Sequence, residues 1–181
     1  IKIMELGSNR GIYENEPLAN IECPNFSCLV LPELFLSECN ILFEFSLKCA
    51  IEYPNIKFIW RLHPGTSFND VFRKNNKLSN LPENIILSKS SLEQDIINSK
   101  WVLYRGSTAV FKALSFGLRP LYLTNKNEIS IDPLFNFNKF KYIVKAPAIL
   151  NSLIQNDIKN NFIDHKKFIT ISKNHCKNQF S

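Results

Sequence analysis

No two of the five cysteines (Cys23, Cys28, Cys39, Cys49 and Cys176) form a Cys-x-x-Cys pair, and an odd number cannot close into a complete disulfide framework. A reducing compartment is therefore expected. Cys39 and Cys49 fall in an apolar helical pattern, where a free thiol behaves as a small buried hydrophobe. No stretch approaches the roughly 18 apolar residues of a membrane-spanning helix, and no signal-peptide pattern opens the chain. These absences predict a cytoplasmic protein, associated with the inner face of a membrane, if at all, through parts beyond this sequence. No His, Cys, Asp or Glu spacing matches a metal site, so neither metal nor cofactor is expected. RNA-recognition, zinc-finger and helix-turn-helix signatures are missing as well, which removes the motif support for a nucleic-acid partner.

What is present is enough for one folded domain. The chain has 181 residues, 45% of them hydrophobic and 12% aromatic, which suffices for a sizeable core. Its net charge of +6 and pI near 9.1 favour an anionic partner such as a nucleotide phosphate or an anionic surface. The lysines are dispersed, however, and become dense only in the C-terminal stretches HKKF and SKNHCK, as on a solvated basic surface. Residues 1–25 read as a polar lead or a linker from a preceding domain, 26–160 as the α/β domain, and 161–181 as a basic helix or tail. The start at Ile1 rather than Met fits a piece of a longer protein.

Short apolar runs alternate with helical patterns along the chain. Residues 26–31 form an apolar run closed by Pro32. Residues 34–53 carry helical spacing stopped by Pro54, and 56–62 form a second strand broken by His63-Pro64-Gly65. A short helix is expected within 67–81, strands at 84–88 and 101–104, and between them a helix capped by Ser90 or Ser91. A helix opening at Gly106-Ser107-Thr108 and closed by Gly117 precedes strands at 120–123 and 142–144. A further helix follows at 148–159. Such alternation predicts a Rossmann-like parallel sheet of five or six strands with helices on both faces, whose ligands bind at the strands' carboxyl ends.

Three strand ends carry polar chemistry: Pro32-Glu33 with Glu38 a turn further, Arg61-Leu62-His63-Pro64, and Arg105-Gly106-Ser107-Thr108. Gly106-Ser107-Thr108 offers backbone N–H groups and two hydroxyls to a phosphate, or Ser107 or Thr108 caps its own helix; the Gly-rich loop of a P-loop is absent. His63, stiffened by Pro64, is aimed to donate a hydrogen bond to a phosphate oxygen and stabilise a nucleotide leaving group. Arg61 shares its side of the strand, as a phosphate ligand or an ion-pair partner. Glu33 and Glu38 bracket the first long helix, either as partners of its dipole or as an acid or base and a ligand for a ribose or sugar hydroxyl.

Residues 31–64 (LPELFLSECNILFEFSLKCAIEYPNIKFIWRLHP) and 101–123 (WVLYRGSTAVFKALSFGLRPLYL) resemble the C-terminal donor-binding domain of GT-B glycosyltransferases. The likeness extends to capsule polysaccharide and sialyltransferase-like enzymes and to teichoic-acid glycerophosphate transferases. Their His-Pro and Ser-Ser or Ser-Thr motifs, both contacting the donor nucleotide, match His63-Pro64 and Ser107-Thr108. Ala113, Gly117 and Pro120 match the helix and strand that follow. The Pro-Glu-Gly of some relatives reads Pro32-Glu33-Leu34 here. The resemblance implies a CMP- or CDP-linked donor, with UDP as the alternative, and a glycan or lipid-linked acceptor held by an N-terminal domain not in this chain. It implies a donor-binding half, inactive alone, in bacterial surface polysaccharide synthesis. Competing readings are a non-catalytic or truncated nucleotide-binding module and a sugar-nucleotide 2-epimerase, which needs further converging acidic and basic groups.

Overall fold

A computed structural model of the protein describes residues 26–125, 128–160 and 163–180. The lead segment 1–25, with Cys23, lies outside the described residues. Strands β1 (Ser27–Leu31), β2 (Lys57–Trp60), β3 (Ile85–Leu87), β4 (Trp101–Tyr104), β5 (Arg119–Leu123) and β6 (Tyr142–Val144) form one sheet, every neighbouring pair parallel, in the order β3-β2-β1-β4-β5-β6. Helices α1 (Leu36–Glu52), α2 (Phe68–Lys74), α3 (Leu92–Ile97), α4 (Val110–Ser115), α5 (Pro147–Lys159) and α6 (His165–Phe180) fill the connections, and a 3₁₀ turn (Asn76–Leu78) follows α2.

The central strands are continuous apolar runs because helices cover both of their faces. Side chains alternate along each strand. Cys28, Val30, Phe58, Trp60, Trp101 and Leu103 therefore join Leu42 and Phe43 of α1 and Leu150 and Ile154 of α5 in one core. Leu29, Leu31, Val102 and Tyr104 join Ile96 of α3, Phe111 and Leu114 of α4, and Phe168 and Cys176 of α6 in the other. The ring of Phe43 stacks on Trp60 with centroids 4.3 Å apart, one of the pairs that hold α1 to the sheet. Burying each such large side chain contributes about 1.5–3 kcal/mol. The four described cysteines, Cys39 and Cys49 included, are free and buried.

Local chemistry sets several boundaries. The Ser67 hydroxyl accepts the Asp70 N–H at 3.2 Å to open α2, and the Ser91 hydroxyl accepts the Gln94 N–H at 3.2 Å to open α3. Pro147 opens α5, where its missing N–H costs nothing. At the end of α4, Gly117 takes φ +93° while the Leu118 N–H reaches the Ala113 carbonyl and the Gly117 N–H the Leu114 carbonyl, both at 3.0 Å. That is a Schellman closure, which asks for glycine.

Two expectations shift. β2 ends at Trp60, not at residue 62: the Arg61 N–H still reaches the Val30 carbonyl, but the chain then folds into a turn from His63 to Thr66. α4 starts at Val110 with Ala109 as its cap residue, and no side chain caps it. The Ser107 and Thr108 carbonyls accept the Val110 and Phe111 N–H groups instead, at 3.2 and 3.1 Å, so neither hydroxyl serves as a cap. The basic C-terminal segment is helix α6, which packs on α4 through buried Phe168, Ser172 and Cys176.

Candidate nucleotide site at the strand carboxyl ends

β1 sits at the point where the strand order reverses, running outward to β2 and β3 on one side and to β4, β5 and β6 on the other. In parallel sheets the crevice opens at the carboxyl ends flanking such a point. The chain places three segments there: 32–35 after β1, 61–66 after β2 and 105–109 after β4. With neighbouring strands about 4.8 Å apart, the last two leave the sheet about 10 Å from each other, on either side of the first.

These segments touch. The Thr66 hydroxyl donates to the Leu34 carbonyl at 3.1 Å, tying the β2 turn to the β1 segment. The Glu33 carboxyl lies against Gly106, so closely that a Cβ on Gly106 would stand 1.8 Å from Glu33 Oε1. A side chain at position 106 would force the Glu33 carboxyl to swing away from this place.

His63, Pro64, Gly65 and Thr66 form a turn closed by the Thr66 N–H on the His63 carbonyl at 2.9 Å, with Pro64 presetting the first central φ. Within it the Gly65 N–H donates to His63 Nδ1 at 3.1 Å. A nitrogen that accepts carries no proton, so the neutral ring bears its hydrogen on Nε2. The exposed imidazole keeps this Nε2–H free of any hydrogen bond among the described residues. Beside it opens a pocket of about 380 Å³ lined by Arg61, His63, Thr66, Phe68, Ser88 and Ser90, among others.

Across β1, Ser107 is half-buried and Thr108 exposed. Neither hydroxyl makes a hydrogen bond among the described residues. Both are available to a ligand, whereas the Gly106 N–H already faces the Glu33 carboxyl.

Two expected ligands are otherwise engaged. Arg61 Nη1 reaches Asp95 Oδ2 at 2.7 Å and the Ser90 carbonyl at 2.6 Å, so its charge is spent fastening the end of β2 to α3. Glu38, in the first turn of α1, accepts from Arg105 Nε at 2.6 Å rather than standing open to a hydroxyl. Arg105 opens the third polar strand end, although no ligand role was expected of it. Its buried guanidinium also gives Nη2 to Glu128 at 2.6 Å and Nη1 to the Leu123 carbonyl at 3.3 Å, which ties the ends of β4 and β5 to α1. Its place directly after an apolar strand marks Arg105 in the sequence but not its partners; Glu128, in a polar segment 23 residues on, carries no such signal.

The electrostatics follow from this crowding. Burial, then the Glu38 charge, raises the Glu33 carboxyl above its ordinary value, against the pull of Arg105 and the Gly106 N–H. Glu128 is lowered by its hydrogen bond from Arg105 and then by that from Asn125. Among the described residues no group of three or more His, Cys, Asp or Glu could hold a metal ion, and no helix is long and apolar enough to cross a membrane.

No protein-family model matches the chain, and no curated protein matches it. Solved structures do. The crystal structure of TarM superposes over 91% of this chain with a TM-score of 0.57 at 14% identity. The glycotransferase of kitacinnamycin covers 93% with a TM-score of 0.53 at 8% identity, and the spinosyn rhamnosyltransferase SpnG 92% with 0.50 at 12% identity. The six-stranded parallel sheet and its helices match in each case. This is the fold of one half of a GT-B glycosyltransferase. Identities this low establish the GT-B half as a fold and nothing finer. The chain spans 35%, 46% and 42% of the lengths of those three proteins.

Proposed function

We propose that the chain is the donor-binding half of a glycosyltransferase that moves a sugar or alditol phosphate from a nucleotide to a surface glycan. The observation that carries this reading is the meeting of the turns after β2 and β4 around β1, with the His63 Nε2–H and the Ser107 and Thr108 hydroxyls unclaimed. In this reading the Ser107 and Thr108 hydroxyls hold the donor phosphates. His63 donates to a phosphate oxygen and stabilises the charge that grows on the leaving nucleotide as its bond to the transferred sugar (C–O) or alditol phosphate (P–O) breaks. The pocket beside His63, about 380 Å³, has the size of a small-ligand site and takes the nucleoside.

The proposed donors are CMP- or CDP-linked, with UDP as the alternative, as the resemblance to capsule and teichoic-acid enzymes implies. Two structural neighbours, a glycotransferase and a rhamnosyltransferase, support sugar transfer. A glycan or lipid-linked acceptor must be held against the donor carbon by a facing domain, which also supplies the base. At the inner face of a membrane such an acceptor would be within reach.

Titration calorimetry of the chain with CMP, CDP and UDP tests the proposal. At least one nucleotide binds, and His63→Ala weakens it roughly 10- to 150-fold, the value of one lost hydrogen bond to a charged group at about 1.5–3 kcal/mol. Equal affinity in wild type and variant removes His63 from the site.

A further inference from the structure

The Glu33 carboxyl is at odds with the ligand proposed for its neighbourhood. It lies against Gly106, whose two following residues carry the hydroxyls assigned to phosphate, with Oε1 1.8 Å from the position of a Gly106 Cβ. Oε1 is buried and makes no hydrogen bond among the described residues. The charged groups that act on Glu33 are Glu38 from the first turn of α1 and Arg105 from the end of β4, with the Cys39 thiol of α1 on its carbonyl; Arg105 in turn pairs with Glu128. Arg105 is already shared by Glu38 and Glu128 at 2.6 Å each, so two carboxyls hold the guanidinium whose charge also reaches Glu33. The Cys39 thiol, which donates to the Glu33 carbonyl, is raised to about 11 by burial and stays neutral. The cluster therefore carries excess negative charge before any anion arrives.

A phosphate entering beside an ionised Glu33 meets a like charge at short range in a partly desolvated site, where such repulsion is strong. One adjustment removes the conflict without moving the backbone: the carboxyl takes a proton. A neutral carboxyl has an O–H to give to a phosphate oxygen, and it removes the like charge. We propose that Glu33 takes up one proton from solvent when a nucleotide phosphate binds, and then donates a hydrogen bond to that phosphate. This rests on the donor-site reading above and adds proton-coupled binding to it. The balance is simple: solvent or buffer loses a proton, an O–H bond forms on Glu33, and no other covalent bond changes. The raised carboxyl of the free protein favours the same event.

The test is calorimetry with UDP-glucose and CDP-glycerol, diesters whose phosphates have no proton to take up in the acid-to-neutral range. Titrations in buffers of different ionisation enthalpy count the protons exchanged. Wild type takes up about one proton at neutral pH, and its affinity falls by up to about tenfold per pH unit as Glu33 ionises in the free protein. Glu33→Gln, a neutral donor of the same shape, binds at least as tightly at neutral pH as wild type, with the proton uptake and that slope gone. His63→Ala, read in parallel, retains the uptake even where affinity drops, which separates Glu33 from the nearby imidazole. Binding by wild type without proton uptake overturns the inference and leaves the donor site standing, and so does uptake that persists in Glu33→Gln. Failure of wild type to bind either diester or any of CMP, CDP and UDP overturns the donor site and this inference together.

Discussion

Acid should loosen the grip of α6 on the domain through His165. This histidine is buried at the start of α6, its ring beside Gly117 and 6.0 Å from the ring of Phe168. Burial first, then the Arg119 and Lys100 charges, lower it from 6.5 to about 4. A histidine lowered by folding takes its proton more readily in the unfolded chain. The stability it permits is complete above pH 6.5, falls as pH drops through the interval, and levels off below about 4. At roughly 1.4 kcal/mol per pH unit the loss is about 3 kcal/mol, a large part of the 5–15 kcal/mol typical of a domain. His175, lowered by burial and then by Lys141, acts in the same direction from the other end of the helix. Urea unfolding of wild type and His165→Gln at neutral pH and near pH 4 isolates the contribution, since carboxylate protonation is common to both proteins. The acid-induced loss in wild type should exceed that in the variant by about 3 kcal/mol. Equal losses would refute the assignment of a neutral, buried His165.

Three further perturbations probe the frame around the site, each read by urea unfolding. Asp157→Ala strips the Trp101 indole N–H of a 2.8 Å acceptor and leaves Arg119 buried without that ion pair, so it should cost about 3–5 kcal/mol; a loss below about 1 kcal/mol contradicts the pairing. Gly117→Ala forces a side chain onto φ +93° with its Cβ 3.3 Å from Ile169 Cγ1, and should cost about 1–2 kcal/mol; an unchanged midpoint contradicts the left-handed closure. Arg105→Ala leaves Glu38 and Glu128 without their shared cation. Its deficit at neutral pH should shrink in acid as the carboxyls protonate, and a pH-independent deficit contradicts the cluster.

The fold was legible because its signals are local. Runs such as Trp101–Tyr104 are short and apolar throughout, as strands covered on both faces must be, and Pro54, Ser91, Gly117 and Pro147 punctuate the helices by backbone chemistry that sequence displays. The strand ends at His63 and Gly106 followed from the same alternation. Side-chain partnerships across the fold did not. Arg61 finds Asp95 34 residues away, and Arg105 finds Glu38 67 residues away; no periodicity links residues at such distances. The start of α4 was misplaced for a related reason. Ser107 and Thr108 are residues that cap helices, yet here their carbonyls, not their hydroxyls, make the turn bonds. Glu33 was visible as a carboxylate near a helix start, but its contact with Gly106 exists only once β1 and β4 lie side by side.

Nucleotide titration followed by amide chemical shifts tests where the ligand sits. Added CDP or UDP should move the amide signals of Gly65, Thr66, Gly106, Ser107 and Thr108 in a saturable way. Asn156, Asn160 and Asp164, which line a pocket with Arg119 where β5 begins, should stay still. Saturable shifts confined to that second pocket, with the turns after β2 and β4 unmoved, would contradict the placement of the donor at the strand carboxyl ends.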